Sequence, residues 1–182
     1  MKKQSTFLYV LRLSLTLLLI TGCMAAALAG VNMITAPIIA AANEAKTQEA
    51  IEMVLPGGGE PVEFTDDTGL VSKVYASDTG YAVQVAPAGF DGEIDMMVGI
   101  GKDGKILGIS ISSPTETAGL GARAGADSAK GEDVRDQFVG MSGQVSVSKD
   151  GGEIDAITGA TITSRAVCDG INAALRCVEK LG

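Results

Sequence analysis

Residues 94–112 read IDMMVGIGKDGKILGISIS, and this stretch decides the architecture. Two apolar, β-branched runs, 94–100 and 106–112, flank Asp103-Gly104, the strongest turn signal in the chain. Asp-Gly between such runs closes a β-hairpin, because both residues tolerate the positive φ that a tight hairpin turn requires. Upstream, VSKVYA at 71–76 and YAVQVA at 81–86 show the same alternation, bounded by Gly, Asp and Pro. Downstream, 132–139 is expected to form a short helix with Phe138 turned inward, and 144–148 and 154–157 to add strands. Near the C-terminus, Ala166, Val167, Gly170, Ile171, Ala174, Leu175, Val178 and Leu181 recur at i, i+3, i+4 spacing, which predicts an amphipathic helix. Hairpins followed by a terminal helix fit an α+β domain with a mostly antiparallel sheet.

At 182 residues the chain has room for one domain and an appendage. Residues 13–35 carry no charge, and that span at 1.5 Å rise per residue crosses a bilayer core of ~30 Å. A transmembrane helix is therefore expected there, with residues 1–12 as a basic N-terminus. Lys2, Lys3 and Arg12 all precede the span, so the positive-inside bias puts that end in the cytoplasm and the remainder outside it. Ile20-Thr21-Gly22-Cys23 resembles a lipoprotein cleavage site, but the sequence stays apolar through Val31 where a processed lipoprotein turns polar, which favours an uncleaved anchor. Residues 36–59 are expected to be a helical stalk and linker, rich in Ala, Glu, Lys and Gln and ended by Pro56-Gly57-Gly58-Gly59. The domain proper is placed at 60–182.

Of the 14 basic residues only 11 follow the span, against 22 acidic ones. Such a surface is a poor partner for nucleic acid or anionic headgroups, both of which need basic patches. Histidine is absent, which removes the usual general base and the commonest zinc ligand. The cysteines form no metal cluster: Cys23 lies in the span, while Cys168 and Cys177 are nine residues apart on the last helix. Nine helical residues rise ~13.5 Å, too far for a disulfide, so plain buried thiols and no metal site are expected.

Just before the last helix stands Asp155-Ala156-Ile157-Thr158-Gly159-Ala160-Thr161. Gly159 and Ala160 leave the backbone open beside the Thr161 hydroxyl, and Thr163 or Ser164 can cap the helix. Thr161 then lies near a helix N-terminus, where N–H groups and the dipole favour a phosphate, and Arg165 adds positive charge. A plainer reading makes Thr158-Gly159 a turn and 161–164 a capping segment only. The second informative segment is 113–123, SPTETAGLGAR, whose closely spaced glycines can bring backbone N–H groups against a flat or anionic ligand. By composition alone the ordinary surface loop is the preferred reading.

The first of these segments resembles Asp-x-x-Ser/Thr-Gly-Ala-Thr, the signature by which a flavin transferase recognises its targets, and the second resembles Glu-Thr-x-Gly-Leu-Gly of the same flavoproteins. Ala118 stands where proline is frequent in that family. Together with the basic N-terminus and single span, the whole chain resembles the G subunits of the Rnf electron-transport complex. These belong to the FMN-binding domain family and are related to the C subunits of the sodium-translocating NADH:quinone reductases, which are generally longer chains. Gly80-Tyr81-Ala82-Val83 and residues 89–94 also resemble family sequence, and for these a structural role is expected.

The resemblance implies an extracytoplasmic FMN-binding domain on a single-pass cell-membrane anchor. It implies FMN joined by a phosphodiester to Thr161, with Thr158, Gly159, Ala160, Thr163 and Ser164 near it and Glu116, Thr117, Gly119, Leu120 and Gly121 against the isoalloxazine. Asp155, Thr158, Gly159, Ala160 and Thr161 would be read by the flavin transferase. The partners implied are that transferase and the other membrane subunits of an ion-translocating ferredoxin:NAD oxidoreductase, in which this chain is a redox subunit and not a complete enzyme. A stand-alone membrane-tethered electron shuttle and a non-redox binding module are the alternatives.

Overall fold

The computed structural model describes residues 2–114 and 134–181. Helix α1 (Lys2–Val54) runs unbroken through Pro37. Its first part belongs to a unit of its own, Met1–Ala45, and the rest of the chain, Lys46–Gly182, forms a second compact unit. In the first unit large apolar side chains such as Leu11, Leu15, Leu19, Leu28 and Ile34 are exposed, and the helix is long and apolar enough to cross a membrane. The hydroxyls of Thr16, Thr21 and Thr35 donate back to the carbonyls of Leu13, Leu17 and Val31. These three hydroxyls are thereby satisfied within the helix, as a hydrocarbon surrounding would require.

The second unit is built on five strands, β1 (Glu60–Val62), β2 (Val71–Ala76), β3 (Gly80–Val85), β4 (Ile94–Gly101) and β5 (Ile106–Pro114). They lie in chain order, each antiparallel to the next. Helix α2 (Thr161–Glu179) follows. The four expected strands stand within one or two residues of their places, and Gly104, at φ 75°, makes the expected hairpin turn. Between β3 and β4 the glycine-rich segment also turns back on itself, through the Gly89 N–H on the Gly92 carbonyl.

The strand period of two divides the side chains between two cores. Val74, Val83, Val98 and Ile109 lie in one cross-strand row, in the core that holds α2 residues such as Val167, Ile171 and Ala174. The next row, Tyr75, Ala82, Gly99 and Gly108, faces the other way and tapers from an aromatic ring to no side chain at all. The end of α1 fills that taper. Ala50, Ile51, Val54 and Leu55 are buried in a second cluster with Tyr75, Ala82 and Met97. A Cβ at Gly99 would collide with the Val54 carbonyl and stand 2.9 Å from the Val54 Cβ, so this position requires glycine. The compact unit thus begins at Lys46 and not at residue 60, and the last two turns of the expected stalk are core.

Three expected elements differ. Residues 144–148 and 154–157 form no strands; they meet in a single parallel bridge, Val147 to Ile154, across a 3-10 turn at Ser148–Asp150. The reason lies on another element: the Asn172 side chain on α2 serves as the partner of Val145, accepting from its N–H at 2.8 Å and donating to its carbonyl at 2.9 Å. A side chain replaces the ladder. The expected short helix over 132–139 is, within the described residues, a 3-10 turn at Val134–Phe138, with Phe138 buried as anticipated. Strand β1 has only three residues, one of them Pro61, too few to show a period.

Candidate functional site

The segment 155–161 crosses from the bridge at Ile154 to the start of α2, and its side chains alternate between solvent and core. Asp155, Thr158 and Gly159 are exposed, Ile157 and Ala160 are buried, and Thr161 is half-buried. A tight turn forms at 157–160: the Ala160 N–H donates to the Ile157 carbonyl at 2.9 Å, and Gly159 has φ 82° at the position where a type II turn requires it. The small Ala160 packs in the main core, so its size serves packing, and openness comes from Gly159 alone.

Neither Thr163 nor Ser164 caps the helix. The N-cap is Ala160, with no side-chain cap hydrogen bond, and Thr161 is the first helical residue. Thr163 and Ser164 are buried inside the first turns, 1% and 3% exposed. The Ser164 hydroxyl accepts from the Ile157 N–H at 3.0 Å and donates to the Ala160 carbonyl at 3.0 Å. It pins the turn to the helix from behind, which an N-cap at this register could not do.

The charge beside Thr161 also differs from expectation. Arg165 faces Asp150 in a two-pronged pair, Nε to Oδ2 and Nη2 to Oδ1 both at 2.7 Å. That hydrogen bond and charge raise the Arg165 pKa and lower that of Asp150, so the guanidinium is already compensated. Among the described residues the cation that reaches Thr161 is Lys149, whose Nζ donates to the Thr161 Oγ1 at 3.1 Å. Sequence reasoning missed it. Lys149-Asp150-Gly151-Gly152 is legible as a turn, but nothing local says which hydroxyl twelve residues on it faces. Gln137 was missed in the same way: its Oε1 accepts from the Asp155 N–H at 2.8 Å and fixes the first residue of the segment.

Behind the segment, Ile109, Ile111, Phe138, Ile157 and Val167 line an apolar crevice with room for about one water-sized sphere, far too small for a ring system. A more open groove of about 450 Å³ lies toward the other end of α2, beside Tyr81, Lys102, Leu175 and Glu179. Thr161 is ~27 Å from that end at 1.5 Å per residue, so the groove does not serve it. The residues Glu116, Thr117, Gly119, Leu120 and Gly121 lie outside the described residues. Among the described residues no group of His, Cys, Asp and Glu could hold a metal. Cys168 and Cys177 are free and buried. Burial first, then Asp169 and Asp150, push the Cys168 thiol up to about 11, which makes it a poor nucleophile.

The arrangement is a hydroxyl at the first helical residue, approached by an ammonium group and set beside an exposed glycine turn on a pinned base. That donor set suits a covalently held phosphate: an oxygen to esterify, a positive charge next to it and open backbone around it. A family model described as the FMN-binding domain matches residues 89–176, which take in β4, β5, the Lys149 turn and the 155–161 segment. The chain is 34% identical to the G subunit of the Na(+)-translocating ferredoxin:NAD(+) oxidoreductase complex of Acetobacterium woodii, over 99% of this chain and 97% of that one. It is 38% identical to the G subunit of the proton-translocating ferredoxin:NAD(+) oxidoreductase complex of Clostridium ljungdahlii, over 57% and 58% of the two chains. It is 34% identical to the G subunit of an ion-translocating oxidoreductase complex of Methanosarcina acetivorans, over 72% and 74%.

Proposed function

The chain belongs to the G subunits of the Rnf ion-translocating ferredoxin:NAD oxidoreductases, and from that membership we propose that it carries FMN covalently on Thr161 and relays electrons between other subunits of such a complex. The observation that supports the attachment is the Thr161 hydroxyl, half-buried at the first residue of α2 and hydrogen-bonded by Lys149. In the attachment step a flavin transferase uses FAD as donor. The Thr161 Oγ1–P bond forms on the FMN phosphorus, the P–O–P linkage of FAD breaks, AMP leaves, and the hydroxyl proton passes to a base of the transferase.

The flavin supplies the electron chemistry, and the protein supplies position and electrostatics. Asp155, Thr158 and Gly159, all exposed, are the part a transferase can read. Ala160, Thr163 and Ser164 are buried and act through the shape of the turn. On the resemblance alone, Glu116, Thr117, Gly119, Leu120 and Gly121 are assigned to the isoalloxazine. The basic residues before α1's apolar stretch put the N-terminus in the cytoplasm and the FMN domain on the outer face. There a covalent link keeps the cofactor from being lost by dissociation, at high effective concentration on its own protein.

The test is intact mass followed by peptide mapping of the full chain from its native membrane. An FMN adduct on the peptide holding Thr161 is expected. An unmodified Thr161 in that material overturns the attachment and leaves the segment as a helix start.

A further inference from the structure

Resting on the attachment at Thr161, we infer that Lys149 is the charged partner of the resulting phosphodiester. Among the described residues, Lys149 and Arg165 are the cations that bear on the acceptor, and the geometry separates them. Arg165 is held by both oxygens of Asp150 at 2.7 Å, so its charge is matched within the protein. Lys149 instead sends its Nζ to the Thr161 Oγ1, an uncharged partner, at 3.1 Å. Among the described residues the hydrogen bond of this ammonium goes to a neutral hydroxyl, and the nearest carboxylate, Asp150, is already held at both oxygens by Arg165. Esterification turns that oxygen into part of a group bearing one negative charge.

The position of Lys149 is built and not left to a loose side chain. Its backbone lies in the Ser148–Asp150 turn, which Gly151 ends at φ 86°. A Cβ at Gly152 would collide with the Ser146 carbonyl, so the return of the chain is equally tight. The neighbouring Asp150 ties that turn to α2 through Arg165, and the Ser148 N–H donates to the Ile154 carbonyl at 2.7 Å. The Asp150–Arg165 pair therefore fastens the turn that presents the ammonium to the helix that presents the hydroxyl, and the Ser148 bond fastens the same turn to Ile154, just ahead of the 155–161 segment. Asp150 thus acts twice, matching Arg165 and fixing its neighbour.

The test uses the full-length chain in detergent, loaded with FAD, magnesium and a flavin transferase, with attachment read by intact mass and the phosphodiester by ³¹P resonance. Lys149 is exposed, so its replacement leaves the core untouched. In the parent, raising KCl from about 10 mM to about 1 M shortens the screening length from ~30 to ~3 Å. The resonance should then move toward that of a proteolytic peptide carrying FMN on the same threonine. Lys149→Gln should sit near the peptide position at low salt and hardly respond to KCl, and Lys149→Arg should restore the parental behaviour. A Gln variant that takes up no FMN while the Arg variant is loaded also supports the assignment. A loaded Gln variant whose resonance and salt response match the parent overturns it. A parent chain that acquires no FMN overturns the attachment itself, and this inference with it.

Discussion

Replacing Ser164 by alanine tests whether the turn before α2 is pinned from behind. The hydroxyl is 3% exposed and makes two bonds of 3.0 Å, one accepted from the Ile157 N–H and one donated to the Ala160 carbonyl. Losing the first strands a buried N–H, at about 1–3 kcal/mol. Losing the second costs little, because the Ala160 carbonyl keeps the Ser164 N–H at 3.0 Å. Alanine's better helix propensity returns roughly 0.5 kcal/mol. The net is a loss of about 1.5 kcal/mol, which at about 3 °C per kcal/mol for a unit of this size lowers Tm by about 5 °C. Calorimetry of the full chain in detergent reads that shift, and amide exchange locates it. The Ile157 amide should lose protection while the amides just after Ser164 keep theirs. A Tm within a degree of the parent, or lost protection that begins after Ser164 as loss of an N-cap would give, refutes the reasoning.

Thr161→Ala should abolish covalent flavin on a denaturing gel while Tm stays within about 2 °C, since a half-exposed surface change is usually within about 0.5 kcal/mol. Gly99→Ala should be costly: its Cβ meets the Val54 carbonyl, and overpacking of this kind costs about 1–3 kcal/mol, seen as a lower midpoint in urea. A truncation beginning at residue 60 should be far less stable than one beginning at 46, because it strips Ile51, Val54 and Leu55 from Tyr75 and Met97; equal melting of the two would contradict the two-sided sheet. Asp66 gives a pH dependence. Against desolvation, the Thr68 hydroxyl and N–H and the Val71 N–H hold its carboxyl at about 2. With the folded pKa below the unfolded value of 3.8, this stabilisation is complete above that value and is lost as pH falls through about 2. Asp66→Asn should flatten the stability profile between those values in urea melts.

How much of this was legible in the sequence depended on whether a signal was local. Four strands and the Asp103-Gly104 turn were readable because period and turn chemistry act over a few residues. The end of α1 was not, because Ile51, Val54 and Leu55 look like any stalk until Gly99 and Gly108, over forty residues later, are seen to leave space for them. Gln144 to Ser148 has the composition of a strand, and its failure to be one is decided by Asn172, a residue on another element. At the site, Thr161 and its turn stood out by motif, whereas Lys149 and Gln137 carried no local mark.

The same division explains how a seven-residue signature can work as a site. Its positions face two ways: Asp155, Thr158 and Gly159 toward solvent, Ile157 and Ala160 toward the core. An exposed strip of this kind would wander if only its own sequence held it, since a glycine turn has little stiffness. Three distant side chains hold it, Gln137 at Asp155, Ser164 at Ile157 and Lys149 at Thr161, at the first, third and last positions. Two of these contacts are to backbone N–H groups and fix the path of the chain without covering the exposed side chains of the strip. The third is to the Thr161 oxygen itself, and it is the one that brings charge. Recognition can therefore be local while geometry is not, so variants at Gln137 and Ser164 should act on the strip's rigidity and those at Lys149 on its electrostatics.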